Sequence, residues 1–107
     1  MANTGSQLQD DSNKITVTRE FGLSHDDFFR IFPRVWPEHE TVGERRVRLN
    51  LAADTALEIQ LSEQKYRRLA TLKIPYMDIE FEFTGANEAQ RIEFFEKFER
   101  KFQKGGG

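Results

Sequence analysis

The run Met77-Asp78-Ile79-Glu80-Phe81-Glu82-Phe83 alternates four apolar residues with three acids without interruption. Side chains of a strand point alternately to its two faces, so this run predicts a strand with one dry and one wet face. The dry face needs cover. The following segment supplies it, because Ile92, Phe94, Phe95, Phe98 and Phe102 recur at helical spacing. A sheet solvated on one side and covered by helices on the other is therefore the expected architecture.

The same two periods organise the rest of the chain. Strands are expected over residues 14–21, 43–51, 56–62 and 66–74, ahead of 77–83. Between the first two, Ser24 is placed to cap a short helix, with Asp27 at the capping-box position and Leu23 and Phe28 placed as a hydrophobic staple. Phe28, Ile31 and Phe32 form its dry side, and Pro33 predicts that it stops at Phe32. Glu38-His39-Glu40 then reads as a surface loop. In the fourth strand, Leu72 and Ile74 put Ala70, Arg68 and Tyr66 inward and strand Leu69 outside, which predicts a β-bulge near Leu69. Pro75-Tyr76 reads as a turn into the alternating strand. Asn87 is placed to cap the last helix, with Gln90 at the box position and Gly105 as its stop. The expected fold is α+β, in the order β-α-β-β-β-β-α: a single antiparallel five-stranded sheet with two helices packed on one face. Residues 1–13 are expected to form a disordered tail, 14–104 one domain, and 105–107 a flexible glycine end.

Composition removes several classes of chemistry. The chain has no cysteine, so thiolate ligands, disulfides and thiol catalysis are excluded. His25 and His39 do not share a helical spacing, and a metal site needs three or four convergent ligands, so no metal is expected. No glycine-rich phosphate loop, nucleophile elbow or His-Glu-x-x-His motif is present, and no cofactor is expected. With 16 basic and 18 acidic residues, the net charge of −2 gives no long-range field to gather nucleic acid or an anionic membrane. The first residues lack the basic and apolar regions of a signal peptide, and no apolar run approaches the ~20 residues of a membrane helix. The expected location is the cytoplasm, with no membrane contact.

Three constellations remain. On the wet face, Arg46 and Arg48, then Glu58 and Gln60, then Arg67 and Lys73, then Asp78, Glu80 and Glu82 would alternate in sign across a meander, as a salt-bridged surface. That face lacks the aromatic rings on which single-stranded bases stack, so nucleic acid is not an expected partner. Second, Arg19, Arg45, Arg68 and Arg91 fall in phase with core residues. Either their heads reach solvent from element ends, or they pair internally, for example with Glu99, or they converge on a pocket for an anionic ligand. Third, Phe29, Trp36 and Phe94 exceed what one short helix and one core edge bury, which makes them candidate partner contacts, unless Trp36 folds back over the core.

The functional expectation is a small non-enzymatic binding or accessory protein. It would contact a protein partner, or a second copy of itself, through the aromatic segment and a sheet edge. The alternative is a pocket between the sheet and the last helix, binding an anionic or amphipathic small ligand. A second alternative is a small enzyme relying on carboxylates and arginine with His25, Tyr66 or Tyr76; no catalytic set emerges from the sequence.

Overall fold

A computed structural model describes residues 13–106, with side chains as far as Phe102. The expected N-terminal tail therefore falls, apart from Asn13, outside the described residues, as does Gly107. The elements are β1 (Lys14–Phe21), α1 (His25–Val35), β2 (Glu40–Gly43), β3 (Arg46–Ala52), β4 (Thr55–Leu61), β5 (Lys65–Leu69), β6 (Leu72–Thr84) and α2 (Glu88–Gly106). The last of these runs through Gly105, the expected helix stop. The strands form one antiparallel sheet in the order β1-β6-β4-β3-β2, with β5 pairing to β6 off that path. The class is α+β, as the two periods predict, with six strands in place of five.

Expectation and structure differ in two places, of which only the first adds a strand. The strand expected over 43–51 starts only at Arg46, and Glu40–Gly43, which begins in the expected loop, pairs with it as a short edge strand with a register shift between Thr41 and Gly43. The second place is 66–74, which is a hairpin rather than one strand with a bulge. The chain reverses at Ala70-Thr71, where Ala70 adopts φ +56°, and Leu69 then faces Leu72 across the turn. The apparent misphasing of Leu69 is this reversal. Pro75 is likewise within β6 and not at a turn. It pairs with Tyr66 of β5, while β1 joins the opposite side only from Met77 onward. Where a strand has a neighbour on only one side, the missing proline N–H leaves no ladder bond unmade.

β6 is the centre of the sheet. Its residues 72–76 pair with β5, 77–84 with β1 and 79–84 with β4. Met77, Ile79, Phe81 and Phe83 are buried, and the two helices cover that side. The ring of Phe81 stands edge-on to those of Phe94, Phe95 and Phe98 of α2, at 4.9–5.7 Å between centroids. Phe28 and Phe32 of α1 lie parallel at 5.0 Å, and Phe28 also stacks on Phe102 at 5.6 Å.

Both helix starts follow the sequence. Ser24 Oγ accepts the Asp27 amide at 3.0 Å. At α2 the capping box closes in both directions, Gln90 N–H to Asn87 Oδ1 at 2.8 Å and Asn87 N–H to Gln90 Oε1 at 2.9 Å. In contrast to the expected stop at Phe32, α1 continues through Pro33 to Val35. The Trp36 amide bonds the Phe32 carbonyl at 2.9 Å, and Val35 and Trp36 pack on the core, which offsets the bond lost at proline. Among the described residues no helix is long and apolar enough to cross a membrane.

Candidate functional site

The β5–β6 hairpin extends past the end of β1, and its residues are the least buried of any strand pair in the sheet. All of β5 is exposed. Three of the five exposed large hydrophobics among the described residues belong to this hairpin: Tyr66 at 51%, Leu69 at 56% and Leu72 at 62%. From Gln64 to Met77 there is no acid, while Lys65, Arg67, Arg68 and Lys73 are basic. Leu69 and Leu72 close the tip; one step behind them Arg68 and Lys73 share one face, and further back Arg67 and Lys65 stand on the other.

The two faces of the hairpin differ in how their charges are met. On the wet side, Arg67 Nη2 donates to Glu20 Oε2 at 2.5 Å while its guanidinium lies 4.2 Å from the centre of the Tyr76 ring. Lys65 Nζ is 3.6 Å from Asp78 Oδ2. On the helix side, Arg68 stands directly across from Lys73. Neither joins the ion pairs formed among the described residues, and Lys73 Nζ rests 4.5 Å from the centre of the Tyr66 ring. Like charges directly opposite on neighbouring strands repel. The Tyr66 hydroxyl accepts from Gln64 Nε2 at 2.6 Å, and Gln64 Oε1 accepts the His25 amide at 2.8 Å, so the hairpin base is tied to the start of α1.

The four arginines in phase with the core separate into three locations. Arg19 and Arg91 share a shallow groove of about 350 Å³ between β1 and α2. Arg19 Nη1 donates to Glu99 Oε2 at 2.6 Å and its guanidinium lies 3.9 Å from the centre of the Phe95 ring. Arg91 Nη1 donates to the Ala86 carbonyl at 3.0 Å. The groove also carries Glu88, Glu96 and Glu99, so carboxylates outnumber guanidiniums there. Arg45 lies at the β2–β3 connection, and its carbonyl accepts the Leu61 amide at 2.8 Å. Arg68 is on the hairpin. One anion site built from all four is therefore not assembled.

The aromatic candidates close the core edge. Trp36 is half-buried, with its indole 4.9 Å from the Phe32 ring and 5.0 Å from that of Phe94, centroid to centroid. Lys97 Nζ lies 5.3 Å from the centre of the indole. Phe94 is buried at 4% exposure, and Phe29 stands edge-on to Phe28 at 5.1 Å. Both histidines lie within hydrogen-bonding distance of backbone carbonyls. His25 Nε2 lies 2.8 Å from the Ser62 carbonyl, and His39 Nδ1 lies 2.8 Å from that of Trp36.

On the wet face, β6 lies beside β4, which overturns the expected alternation of basic and acidic rows. Glu82 stands directly across from Glu58, and Glu80 across from Gln60. Arg46 and Arg48 of β3 reach Glu58 at 3.6 and 3.7 Å. Among the described residues no group of three or more His, Asp or Glu is placed to hold a metal ion. The hairpin tip, Leu69 and Leu72, is not among the contact residues expected from the sequence. Its available signal was the absence of any acid between Gln64 and Met77 next to a break in the strand period. Compared with protein-family models, curated proteins and solved structures, the chain returns no match.

Proposed function

We propose that this protein is a non-enzymatic binding module that engages a protein partner through the β5–β6 hairpin. The observation that carries this reading is the exposure of Leu69 and Leu72 side by side at the tip of an acid-free, four-cation hairpin. Apolar side chains clustered outside the core mark contact surfaces, since a domain gains nothing from them when alone. The surrounding cations select a partner that brings carboxylates to an apolar patch, and they favour fast encounter with it. The aromatic segment contributes to the stability of the domain in this reading, with Trp36 and Phe94 inside or along the core.

The test is affinity capture on wild-type protein and on Leu69→Ser/Leu72→Ser, followed by binding measurements on the purified captured partner. The expected result is a defined partner whose affinity falls at least about 30-fold in the double variant, as removal of two apolar anchors implies. A variant that folds and binds every captured protein as wild type does would remove the hairpin from the interface.

A further inference from the structure

We infer that β1 is a self-complementary edge that joins two copies of this chain into one continuous sheet, with Val17 facing Val17 of the second copy. The sheet path ends in β1 on one side and β2 on the other, and β5 forms a third open edge along the hairpin. These three edges are not equivalent. β2 has four residues and a register shift, the features that blunt an edge. β5 reads Lys-Tyr-Arg-Arg-Leu, so a copy laid against itself would set cations beside cations. β1 has eight residues, contains no proline, and keeps an uninterrupted register with β6 over its whole length. Among the described residues it has no partner on its outer side.

Geometry limits how two such edges meet. In an antiparallel pair, residues directly opposite one another are either both hydrogen-bonded or both not. Two identical strands must therefore pair residues of the same parity. Along β1 the odd positions Val17 and Phe21 pack against the core, Ile15 shares their face opposite Phe83, and the even positions point to the wet face. Same-parity pairing consequently puts the helices of both copies on one side of the joined sheet.

Charge then selects the register. With Val17 opposite Val17, Lys14 stands opposite Glu20 twice, Thr16 opposite Thr18 twice, and Ile15 opposite Arg19 twice. Shifting the pairing to centre on Thr18 sets Lys14 opposite Gly22 and Glu20 opposite Thr16, and both ion pairs are lost. Glu20 already accepts from Arg67 within its own chain, so the Val17 register builds a Lys14–Glu20–Arg67 network at each end of the junction. On the helix side, the grooves lined by Val17 and Ile92 open toward one another across the two-fold axis. That gives a covered setting to Ile92, which is 51% exposed in the single chain.

A charge swap across the edge tests this. The full chain, Lys14→Glu, Glu20→Lys and an equimolar mixture of the two variants are compared by sedimentation velocity, with circular dichroism to confirm folding. The expected result is a dimer for wild type, association weakened roughly tenfold or more in each variant alone, and recovery in the mixture, where both facing pairs become attractive again. Lys14→Glu breaks no ion pair formed within the described chain, so it carries the test by itself if Glu20→Lys unfolds. A wild-type monomer at all concentrations would overturn the inference. So would a dimer indifferent to both charge reversals, which would place the junction on another surface.

Discussion

Arg68 and Lys73 stand directly opposite each other across the β5–β6 ladder, two cations in a position where neighbouring strands ordinarily place opposite charges. The pairing lowers the stability of the hairpin in isolation and suits a partner that brings negative charge. Arg68→Glu is expected to raise stability by about 0.2–1 kcal/mol through attraction to Lys73, while weakening partner binding. Urea denaturation and a binding titration on the same variant give the two opposed signs.

Ala70 turns the hairpin at φ +56°, a region in which a Cβ crowds the following carbonyl. Ala70→Gly removes that crowding, partly offset by the greater conformational entropy that glycine loses on folding. A net gain of about 0.5 kcal/mol is expected from the denaturation midpoint, with partner affinity unchanged because the leucines on either side are retained.

Gly85 joins β6 to α2 at φ +79°, and a Cβ there would collide with the backbone carbonyl of Asp54. Its amide also donates to the Asn13 carbonyl at 2.9 Å. Gly85→Ala combines a strained backbone angle with a backbone clash, and a loss of at least about 2 kcal/mol is expected. Thermal unfolding checks it; an unchanged midpoint would show that this connection yields easily.

Trp36 bridges α1 and α2 through Phe32 and Phe94. Trp36→Ala is expected to cost about 2–3 kcal/mol, less than for a fully buried ring because the indole is half-exposed. The folded variant should bind the hairpin's partner with wild-type affinity. Loss of binding without loss of stability would return Trp36 to the contact surface.

The parts of this fold legible from sequence were those governed by one local rule. The dry face of Met77–Phe83, the Asn87–Gln90 box and the buried positions of α2 follow from period and capping alone. Where two rules competed, the structure took the less local one. Pro33 signals a helix end, yet packing of Val35 and Trp36 carries α1 past it. Pro75 signals a turn, yet β6 has an open side just there. The turn at Ala70-Thr71 contains none of the residues that usually mark turns, so the sequence pattern points to a bulge where the chain makes a hairpin. A single strand through 66–74 would have no exposed tip and would separate β4 from β6. For the arginines, pairing was foreseeable at Arg19, whose partner is Glu99, whereas the distances among the four depend on topology.

β6 runs without interruption from the exposed tip into the phenylalanine core, bonded to β5 first and to β1 and β4 after. Mechanically it is a cantilever with its fixed end in the sheet. Thirteen residues of one strand leave no hinge at which the tip could swing independently of Phe81 and Phe83. A partner therefore meets a prong whose direction is set before contact, and little backbone freedom remains to be lost on docking. The same stiffness runs in reverse: a load applied at Leu69 and Leu72 is delivered to the ladder rungs around Met77, so that loosening the core and misaiming the prong become one event.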